Sequence, residues 1–331
     1  MASNRQKISD LKIGDKVRSV FAVSQINLAP YNTPSRAGEY YLRLVLVDAS
    51  GSLEARLWDG AQEAYRQLSV DDYVYVEGQV VGFRGLQLNI SSFRKQAPEE
   101  VDLAEFQPCS SVPADALLHD FLTCVESVAD PHLAALLGAF ANDDSFRNLL
   151  LRAPGGRLVH HAYSGGLLEH TLEVVSIARA LCRLYPSIAD PDLLLTCALL
   201  HDIGKVKEYN VFSPSFNPTD AGRLLGHIVL GHSMVVEKIE AIAGFPPVLK
   251  MEVEHAILTH HGQREWGSPE VPKTATAFLV FHADLVSARC NQFSALVSGH
   301  VSDSPWTHYD KYLERHVFIP SLVKGFDNWE D

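Results

Sequence analysis

The sequence predicts an α+β protein in which a small β-barrel precedes an all-α domain. Residues 12 to 95 alternate between short β-type runs and turns rich in Gly, Asn, Asp and Ser. After residue 113, apolar residues recur at i, i+3, i+4 and i+7, which is the period of amphipathic helices. The stretch between them, QAPEEVDLAEFQPCSSVP, keeps no period. We therefore expect a barrel domain at 1–97, a linker at 98–113, a helical domain at 114–303 and a tail at 304–331 that we leave unassigned.

The first domain is predicted to contain five strands with one helix among them. The strands are the runs KVRSVFAVSQI, EYYLRLVLVD, LEARLWDG, DYVYVEGQVVGF and LQLNISSF. The segment AQEAYRQL, at 61–68, is the helix and falls between the third and fourth strands. Five strands with a helix in that position are the layout of the OB-fold, a Greek-key barrel that binds oligonucleotides or oligosaccharides.

The second domain is predicted to be a bundle of amphipathic helices separated by Gly or Pro. Their segments are ADALLHDFLTCVESV, PHLAALLGAFANDDSFRNLLLRAP, GLLEHTLEVVSIARALCRLY, PDLLLTCALLHDI, RLLGHIVLGHSMVVEKIEAIA, PVLKMEVEHAILTHHG and TATAFLVFHADLVSARCNQFSAL. No apolar run approaches the roughly 18 residues of a membrane span, and the start of the chain lacks the apolar core of a secretory signal. We expect a cytoplasmic protein without a membrane partner.

Composition restricts the kinds of site that are available. The five cysteines are widely spaced and form no C-x-x-C pair, which argues against a disulfide framework and against a thiolate zinc site. The formal net charge is −12, with 12 Lys and Arg against 10 Asp and Glu in residues 1 to 97, so the remainder carries −14. Because phosphate binding uses Lys and Arg, the barrel alone is expected to bind nucleic acid weakly and in a salt-sensitive way.

Polar residues interrupt the apolar helices in an ordered series. Ten of the 15 histidines fall between residues 160 and 282. Burying such residues without partners is costly, so they either satisfy one another or hold something. Imidazole and carboxylate are the ligands expected of Mn, Fe, Zn or Ni, and helical bundles hold such ions on inward faces. The interruptions are His170, His201, Asp202, His227, His260, His261 and Asp284.

The order H…HD…H…HH…D resembles the HD-domain metallohydrolases, a superfamily of helical metal-dependent phosphohydrolases. The resemblance implies one metal held by His170, His201, Asp202 and Asp284. It further implies that Asp202 bridges to a second ion, whose other ligands are His227 and one or both of His260 and His261. Gly262 indicates that the helix ends there, so both adjacent imidazoles can turn inward. His282 lies about 200° of helix from Asp284 and is expected to face away.

The resemblance also implies a chemistry for this site. Two ions that share a carboxylate lower the pKa of a bound water and stabilise charge on phosphate oxygens. Asp202 would be the central catalytic carboxylate, and Lys205 would contact a phosphate oxygen. The alternative for Lys205 is a cation that complements a helix C-terminus. Manganese is the expected metal, with Fe, Ni, Co and Mg as alternatives.

Longer matches narrow the resemblance to the YhaM-type 3′-5′ exoribonucleases, which join an N-terminal OB-fold to an HD domain. The stretches HHAYSGGLLEHT, GRLLGHIVLGH and LTHHG carry it in the helical part, and YYLRLVLVDASGSLEARLWD carries it in the barrel. It implies removal of nucleotides from the 3′ end of single-stranded RNA, with DNA a further possibility. The residues implied to bind substrate are His160, His161, Tyr163, Lys205 and His232 near the metals and Arg43, Arg56, Trp58 and Arg84 on the barrel.

Two other functions fit parts of the sequence. One is an HD-type nucleotidase or cyclic-dinucleotide phosphodiesterase that acts on small molecules. The other is a non-catalytic adaptor whose barrel binds nucleic acid. The complete ligand set argues against the adaptor, since a decayed site is expected to have lost at least one ligand. The sequence leaves the oligomeric state open, a homo-oligomer included.

Overall fold

The computed structural model describes residues 5–31, 33–82, 85–156, 161–300 and 304–320. The chain forms two compact units. The first unit contains Met1–Ser111 together with Asn210–Asn217, and the second contains Val112–Tyr209 and Pro218–Asp331. Within the described residues, no helix has both the length and the apolar character that crossing a membrane requires.

The first unit is a closed barrel of strands β1 to β5. Their bounds are β1 Lys16–Pro30, β2 Tyr40–Asp48, β3 Gly51–Leu57, β4 Tyr73–Gly82 and β5 Leu86–Gln96. The order around the barrel is β1-β2-β3-β5-β4, with β3 and β5 parallel and the other neighbours antiparallel. Helix α1, Ala61–Gln67, follows β3 and precedes β4. The predicted OB-fold, including its single helix, is confirmed.

Alternation along the strands accounts for the barrel core. In β2 the leucines at 42, 44 and 46 are buried, and the residues between them are more exposed. Successive side chains of a strand point to opposite faces, so this alternation directs one face inward. The inward residues form one apolar cluster with Phe21, Val76 and Leu88.

The stretch after β5 packs on the barrel although its sequence has no period. Phe106 is fully buried, with its ring centroid 4.8 Å from that of Tyr73. The amide of Gln107 donates to the carbonyls of Val211 (3.1 Å) and Ser213 (2.7 Å), which belong to the same unit. The ring of Phe106 and the buried amide of Gln107 therefore fix this stretch on the unit, although its sequence pattern predicts only a linker.

The second unit is all-α, as predicted. Its helices are α2 Ala114–Glu126, α3 Pro131–Ala141, α4 Asp144–Leu150, α5 Gly166–Leu184, α6 Pro191–Leu200, α7 Lys205–Glu208, α8 Asp220–Glu240, α9 Pro247–Thr259 and α10 Ala275–Ser298. The segment PHLAALLGAFANDDSFRNLLLRAP forms two helices instead of one. The reason is Asp143, whose carboxylate caps α4 by accepting from the Phe146 amide at 3.1 Å.

Helix α6 lies at the centre of this unit. Every residue from Leu193 to Leu200 is buried, and α6 packs against α5, α9 and α10. A helix that is apolar on all sides is stable only inside a domain. The His-Asp pair directly after α6 is therefore carried into the interior of the unit.

A close backbone approach sets the position of α8. A Cβ atom at Gly204, just before α7, would overlap the carbonyl of His227 and lie 2.5 Å from the amide nitrogen of Gly231. Gly226 has φ 71°, so α8 is kinked immediately before His227. These two glycines bring the backbone of His227 against the turn that follows Asp202.

Replacing Gly204 with alanine is expected to destabilise the second unit. The added methyl group meets backbone atoms that cannot rotate away, so we expect a loss of about 2 kcal/mol or more in the free energy of unfolding. Thermal and urea denaturation measure it. Gly138→Ala is the matched control, because its Cβ would meet only the Asn142 side chain, at 3.7 Å, inside a helix. Equal stability of Gly204→Ala and the wild type would contradict the packing described here.

Candidate functional site

The structure brings the seven predicted metal ligands together inside the second unit. They come from α5, α10, the kinked part of α8 and the turns that follow α6 and α9. The Nε2 atoms of His170 and His201 are 3.3 Å apart, and those of His227 and His261 are 3.2 Å apart. Among the described residues, three groups have all their ligand atoms within 4.8 Å of one another. Two consist of predicted ligands only, namely His170, His201 and Asp284, and His227, His260 and His261; the third, His161, His170 and Glu173, shares His170 with the first.

Asp202 lies between the two groups. Its Oδ2 is 3.5 Å from Nε2 of both His170 and His201. Its Oδ1 is 3.5 Å from Nε2 of His227 and 3.4 Å from Nε2 of His260. One carboxylate therefore directs one oxygen to each group, which is the arrangement of a bridging ligand.

The end of α9 explains why both adjacent histidines face inward. The helix stops at Thr259, and Gly262 follows with φ 76°. A Cβ atom at Gly262 would overlap the ring of Phe281, so only glycine fits there. The turn places His260 toward Asp202 and His261 toward His227, as the sequence allowed.

All five imidazoles of the two groups use Nδ1 for a hydrogen bond. Three of the acceptors are backbone carbonyls, which cannot donate, so Nδ1 carries the proton and Nε2 faces the centre. A metal-binding imidazole is oriented in the same way. The pairs are His170 with Ser287 Oγ (2.9 Å), His201 with Ala198 O (2.8 Å), His227 with Glu208 Oε1 (3.2 Å), His260 with Ile257 O (2.7 Å) and His261 with Trp266 O (2.9 Å).

These residues fit divalent cations. Asp202 Oδ1 and His260 Nε2 are buried and have no hydrogen-bond partner among the described residues. Burial lowers the pKa of His260, and burial together with the neighbouring His260 lowers that of His261 to about 4, so both rings are neutral at pH 7. The Nε2 lone pair of His260 faces Asp202 Oδ1, and that of His261 faces Nε2 of His227. A divalent cation would satisfy all of these acceptors at once.

His170 keeps a proton to a higher pH than an ordinary imidazole, because two carboxylates face its ring. Burial alone would lower the pKa of His170, but hydrogen bonds with Asp202 and Asp284 raise it to about 9. The Nε2 of His170 is 3.1 Å from Asp284 Oδ1. The pKa values of Asp202 and Asp284 are lowered despite their burial, because cationic and imidazole groups surround them. Divalent cation binding therefore competes with this proton, and it weakens as the pH falls.

Carboxylates behind the histidines were missed by sequence reasoning. The Ser287 hydroxyl donates its hydrogen to Glu173 Oε2 at 2.6 Å. The hydroxyl oxygen is therefore the acceptor in its hydrogen bond with Nδ1 of His170. Burial would raise the pKa of Glu173, but hydrogen bonds from His161 and Ser287 lower it. Glu208 holds His227 directly. Spacing was the available signal, because Glu173 and Ser287 each follow a ligand by three residues on one helix face.

Lys205 lies beside Asp202 instead of pointing into solvent. It is 6% exposed, its Nζ is 2.5 Å from Asp202 Oδ2, and it also donates to the carbonyl of Gly155. It is the first residue of α7, which is a single turn long, and its ammonium group contacts Asp202 and the Gly155 carbonyl. Lys205 borders the cavity above the metal groups.

The other predicted substrate contacts near the metals lie in different places. His161 is buried with φ 48°, and its Nε2 is 3.3 Å from Glu173 Oε1, so it supports the first group from behind. Tyr163 is beside it, with ring centroids 5.9 Å apart. His232 does not line the cavity, and its Nε2 is 3.8 Å from Glu254 Oε2. His160 lies outside the described residues. His282 packs against Phe278, away from the ligands as expected.

A cavity of about 610 Å³ lies against the metal groups. Asp202, Lys205 and Asp284 line it on one side. Its other walls contain large side chains that sequence reasoning did not select, namely Tyr209, Trp266, Phe281, Arg289 and Tyr312. Nothing in their local sequence distinguishes them from ordinary core or surface residues.

The barrel presents a separate cluster of aromatic and basic side chains. Ring centroids of Tyr31, Tyr41 and Trp58 are 4.9 to 5.9 Å apart, and Trp58 is 36% exposed. Arg43 and Arg56 are directly opposite each other on β2 and β3. Like charges in that position cost stability, and Arg56 is stabilised by Glu54 at 2.9 Å. Arg84 lies outside the described residues.

Two solved structures resemble the barrel. The second OB-fold domain of replication protein A from Methanococcus maripaludis is 22% identical, with a TM-score of 0.24, and the match covers 28% of this chain and 93% of that one. The OB domain of a Thermoplasma acidophilum protein is 18% identical, with a TM-score of 0.24 and coverage of 29% and 88%.

Sequence comparison shows the family to which the chain belongs. The HD domain family matches residues 167–289, the region that contains all seven ligand positions. The 3′-5′ exoribonuclease YhaM of Oceanobacillus iheyensis is 34% identical over 260 residues, which covers 77% of this chain and 79% of that protein. This match includes more than the helical unit alone. The chain therefore belongs to the YhaM family of 3′-5′ exoribonucleases, metal-dependent HD-domain phosphohydrolases.

Proposed function

We propose that this protein removes nucleotides from the 3′ end of single-stranded RNA by using two divalent cations, with manganese the expected metal. The observation that carries the proposal is Asp202, whose two oxygens face two separate groups of imidazole Nε2 atoms. His170, His201 and Asp284 would hold one cation, and His227, His260 and His261 the other. When bound, such a pair generates a hydroxide nucleophile and stabilises charge on the attacked phosphate.

The chain's own residues orient the phosphodiester. Lys205 has three donor hydrogens, and Asp202 and Gly155 accept two of its hydrogen bonds. The third is available to a phosphate oxygen at the border of the cavity. Hydrogen bonds at every Nδ1 fix the imidazoles, so the ligand geometry exists before substrate binds. Such a preorganised site does not have to rearrange during the reaction.

The barrel supplies binding to the strand. Base stacking on aromatic rings combined with a basic groove is how OB-folds bind single strands. Tyr31, Tyr41 and Trp58 form such a platform, with Arg43 on the same β2–β3 region and the Arg36 guanidinium 3.7 Å from the centroid of Tyr31. Stacking accepts every base, which suits an enzyme that degrades RNA of any sequence.

A nucleotidase acting on small phosphate esters is the second candidate. The cavity volume of about 610 Å³ favours it, because small-molecule sites occupy about 300–1,000 Å³. The same volume also holds the terminal nucleotide of a strand. The two functions therefore differ in whether a polymer is shortened.

Incubation with a 5′-end-labelled single-stranded RNA and Mn²⁺ tests the proposal. We expect a ladder of products that shorten from the 3′ end, and no products when a chelator removes the metal. The matching DNA oligomer, run in parallel, measures the preference for RNA. An oligomer that stays intact while mononucleotide esters are hydrolysed would overturn the exoribonuclease proposal in favour of the nucleotidase.

Replacing Asp202 with alanine is expected to abolish hydrolysis and bridging of the two cations. The metal content per chain, measured on the purified protein, should fall, while RNA affinity in the presence of chelator should stay within about twofold, because the barrel is untouched. His282→Ala removes an imidazole outside the ligand groups and should keep both metal and activity. Full activity in Asp202→Ala would show that the site is wrongly assigned.

Replacing Trp58 with alanine is expected to weaken binding of long RNA. Loss of one stacked base costs about 1–3 kcal/mol, which is roughly a 5- to 150-fold rise in Kd. Fluorescence anisotropy with labelled RNA measures it. Tyr65→Ala, which removes an exposed ring of α1 outside the aromatic cluster, is the control. Equal affinity of the Trp58 variant and the control would exclude the barrel platform as an RNA-binding surface.

A further inference from the structure

The C-terminal segment, which the sequence left unassigned, reaches the active-site cavity. Tyr312 belongs to its described part, residues 304–320, and lines the cavity together with Trp266 and Arg289. These three residues come from three separate parts of the helical unit. None of them is a predicted metal ligand. They form a wall of the cavity that is distinct from the metal site.

The turn that carries Tyr312 is fixed to α10. Arg289 Nη1 donates to the carbonyl of Tyr312 at 2.8 Å, and Gln292, which is only 6% exposed, donates to Asp310 Oδ1 at 3.0 Å. The same carboxylate oxygen accepts from the amides of Tyr312 (2.9 Å) and Leu313 (2.7 Å). The buried amide of Gln292 and the Asp310 turn therefore hold the backbone of Tyr312 in one place.

The segment also has a small core of its own. Leu313, Val317 and Ile319 are 4–6% exposed, and the amide of Thr307 donates to the carbonyl of Val317 at 2.9 Å. A segment that buries apolar residues and forms backbone pairs is a folded part of the unit. A fixed wall of this kind can select a ligand by shape.

The exposed rings of this wall indicate what it binds. Tyr312 is 44% exposed and Trp266 is 47% exposed, although both line a concave site beside the metal ligands. Large rings left half-exposed in a cavity are typical of ligand contacts. Arg289 adds a positive guanidinium among them. An aromatic, basic pocket next to a phosphodiester-binding centre matches a nucleoside whose phosphate lies at the metals.

We infer that the turn Asp310–Arg315 forms the nucleoside pocket of this enzyme, in which Tyr312 and Trp266 pack against the base of the 3′-terminal nucleotide. The inference rests on the proposed function, because it assigns the part of the substrate beyond the scissile phosphate. In that reaction the oxygen of water forms a bond to phosphorus, the bond from phosphorus to the 3′ oxygen of the preceding nucleotide breaks, and that oxygen takes up a proton. The pocket then holds a nucleoside 5′-monophosphate.

Calorimetric titration of the manganese-loaded full chain with adenosine 5′-monophosphate and with inorganic phosphate tests the inference. The affinity for inorganic phosphate reports the contacts made at the metals. The affinity for adenosine 5′-monophosphate divided by that for phosphate reports the contribution of the nucleoside pocket. In Tyr312→Ala and Trp266→Ala we expect this ratio to fall about 5- to 100-fold, since base stacking is lost. Disturbance of the metal site would instead weaken both ligands together.

Matched controls exist in the same segment. Tyr309 (58% exposed) and Trp306 (53% exposed) carry the same side chains but do not line the cavity. Tyr309→Ala and Trp306→Ala should keep the wild-type ratio. If Tyr312→Ala unfolds, Tyr312→Leu keeps a side chain of similar bulk without the aromatic ring and gives the same test. An unchanged ratio in the folded Tyr312 and Trp266 variants overturns the inference.

The outcome is separable from that of the proposed function. If RNA is shortened from its 3′ end but the ratio is unaffected by either variant, the pocket assignment alone fails. If RNA is left intact while adenosine 5′-monophosphate binding still depends on Tyr312, the exoribonuclease proposal fails. The pocket then stands as a mononucleotide site, without a terminal strand nucleotide as its occupant.

Discussion

A single buried carboxylate, that of Asp202, sets the requirements for the rest of the helical unit. It is 2% exposed and has four imidazoles and one ammonium group around its two oxygens. A buried charge without such partners would cost several kcal/mol. The partners must come from separate helices, because one helix face cannot surround a carboxylate. The unit therefore arranges α5, α8, α9 and α10 around the end of α6, whose apolar surface is buried on every side.

Backbone constraints follow from that arrangement. Imidazole Nε2 atoms only 3.2–3.3 Å apart require the backbones that carry them to approach closely. Gly204 permits the contact with α8, and Gly262 permits the turn against Phe281. The outer acceptors complete the arrangement, since each Nδ1 finds a carbonyl, a hydroxyl or a carboxylate. Ligand direction is thus set by groups that never touch the reacting phosphate.

The features that could be predicted from the sequence share one physical signal, the periodicity of apolar residues along a helix or a strand. Metal ligands such as His170 and Asp284 are polar residues that break an apolar helical period, and the strands of the barrel alternate visibly. Other features have no local signal. Phe106 anchors an aperiodic stretch, and Asn210–Asn217 folds with the barrel unit although its neighbours in sequence are helical. Tyr312 is one of several similar aromatic residues in its segment, and only the three-dimensional fold separates it from Tyr309.

The charge distribution has a consequence for how a polyanion is handled. The helical unit, Val112–Tyr209 and Pro218–Asp331, carries 16 Lys and Arg against 26 Asp and Glu, so its net charge of −10 disfavours RNA on average. Lys205 and Arg289 offset the carboxylates that line the cavity, and the aromatic and basic cluster of the barrel is a second region that favours a polyanion. Such a surface disfavours nonspecific binding along the helices. Strand affinity then depends on stacking, on the terminal nucleotide and on the few basic residues of the barrel, and salt screens the contribution of those basic residues.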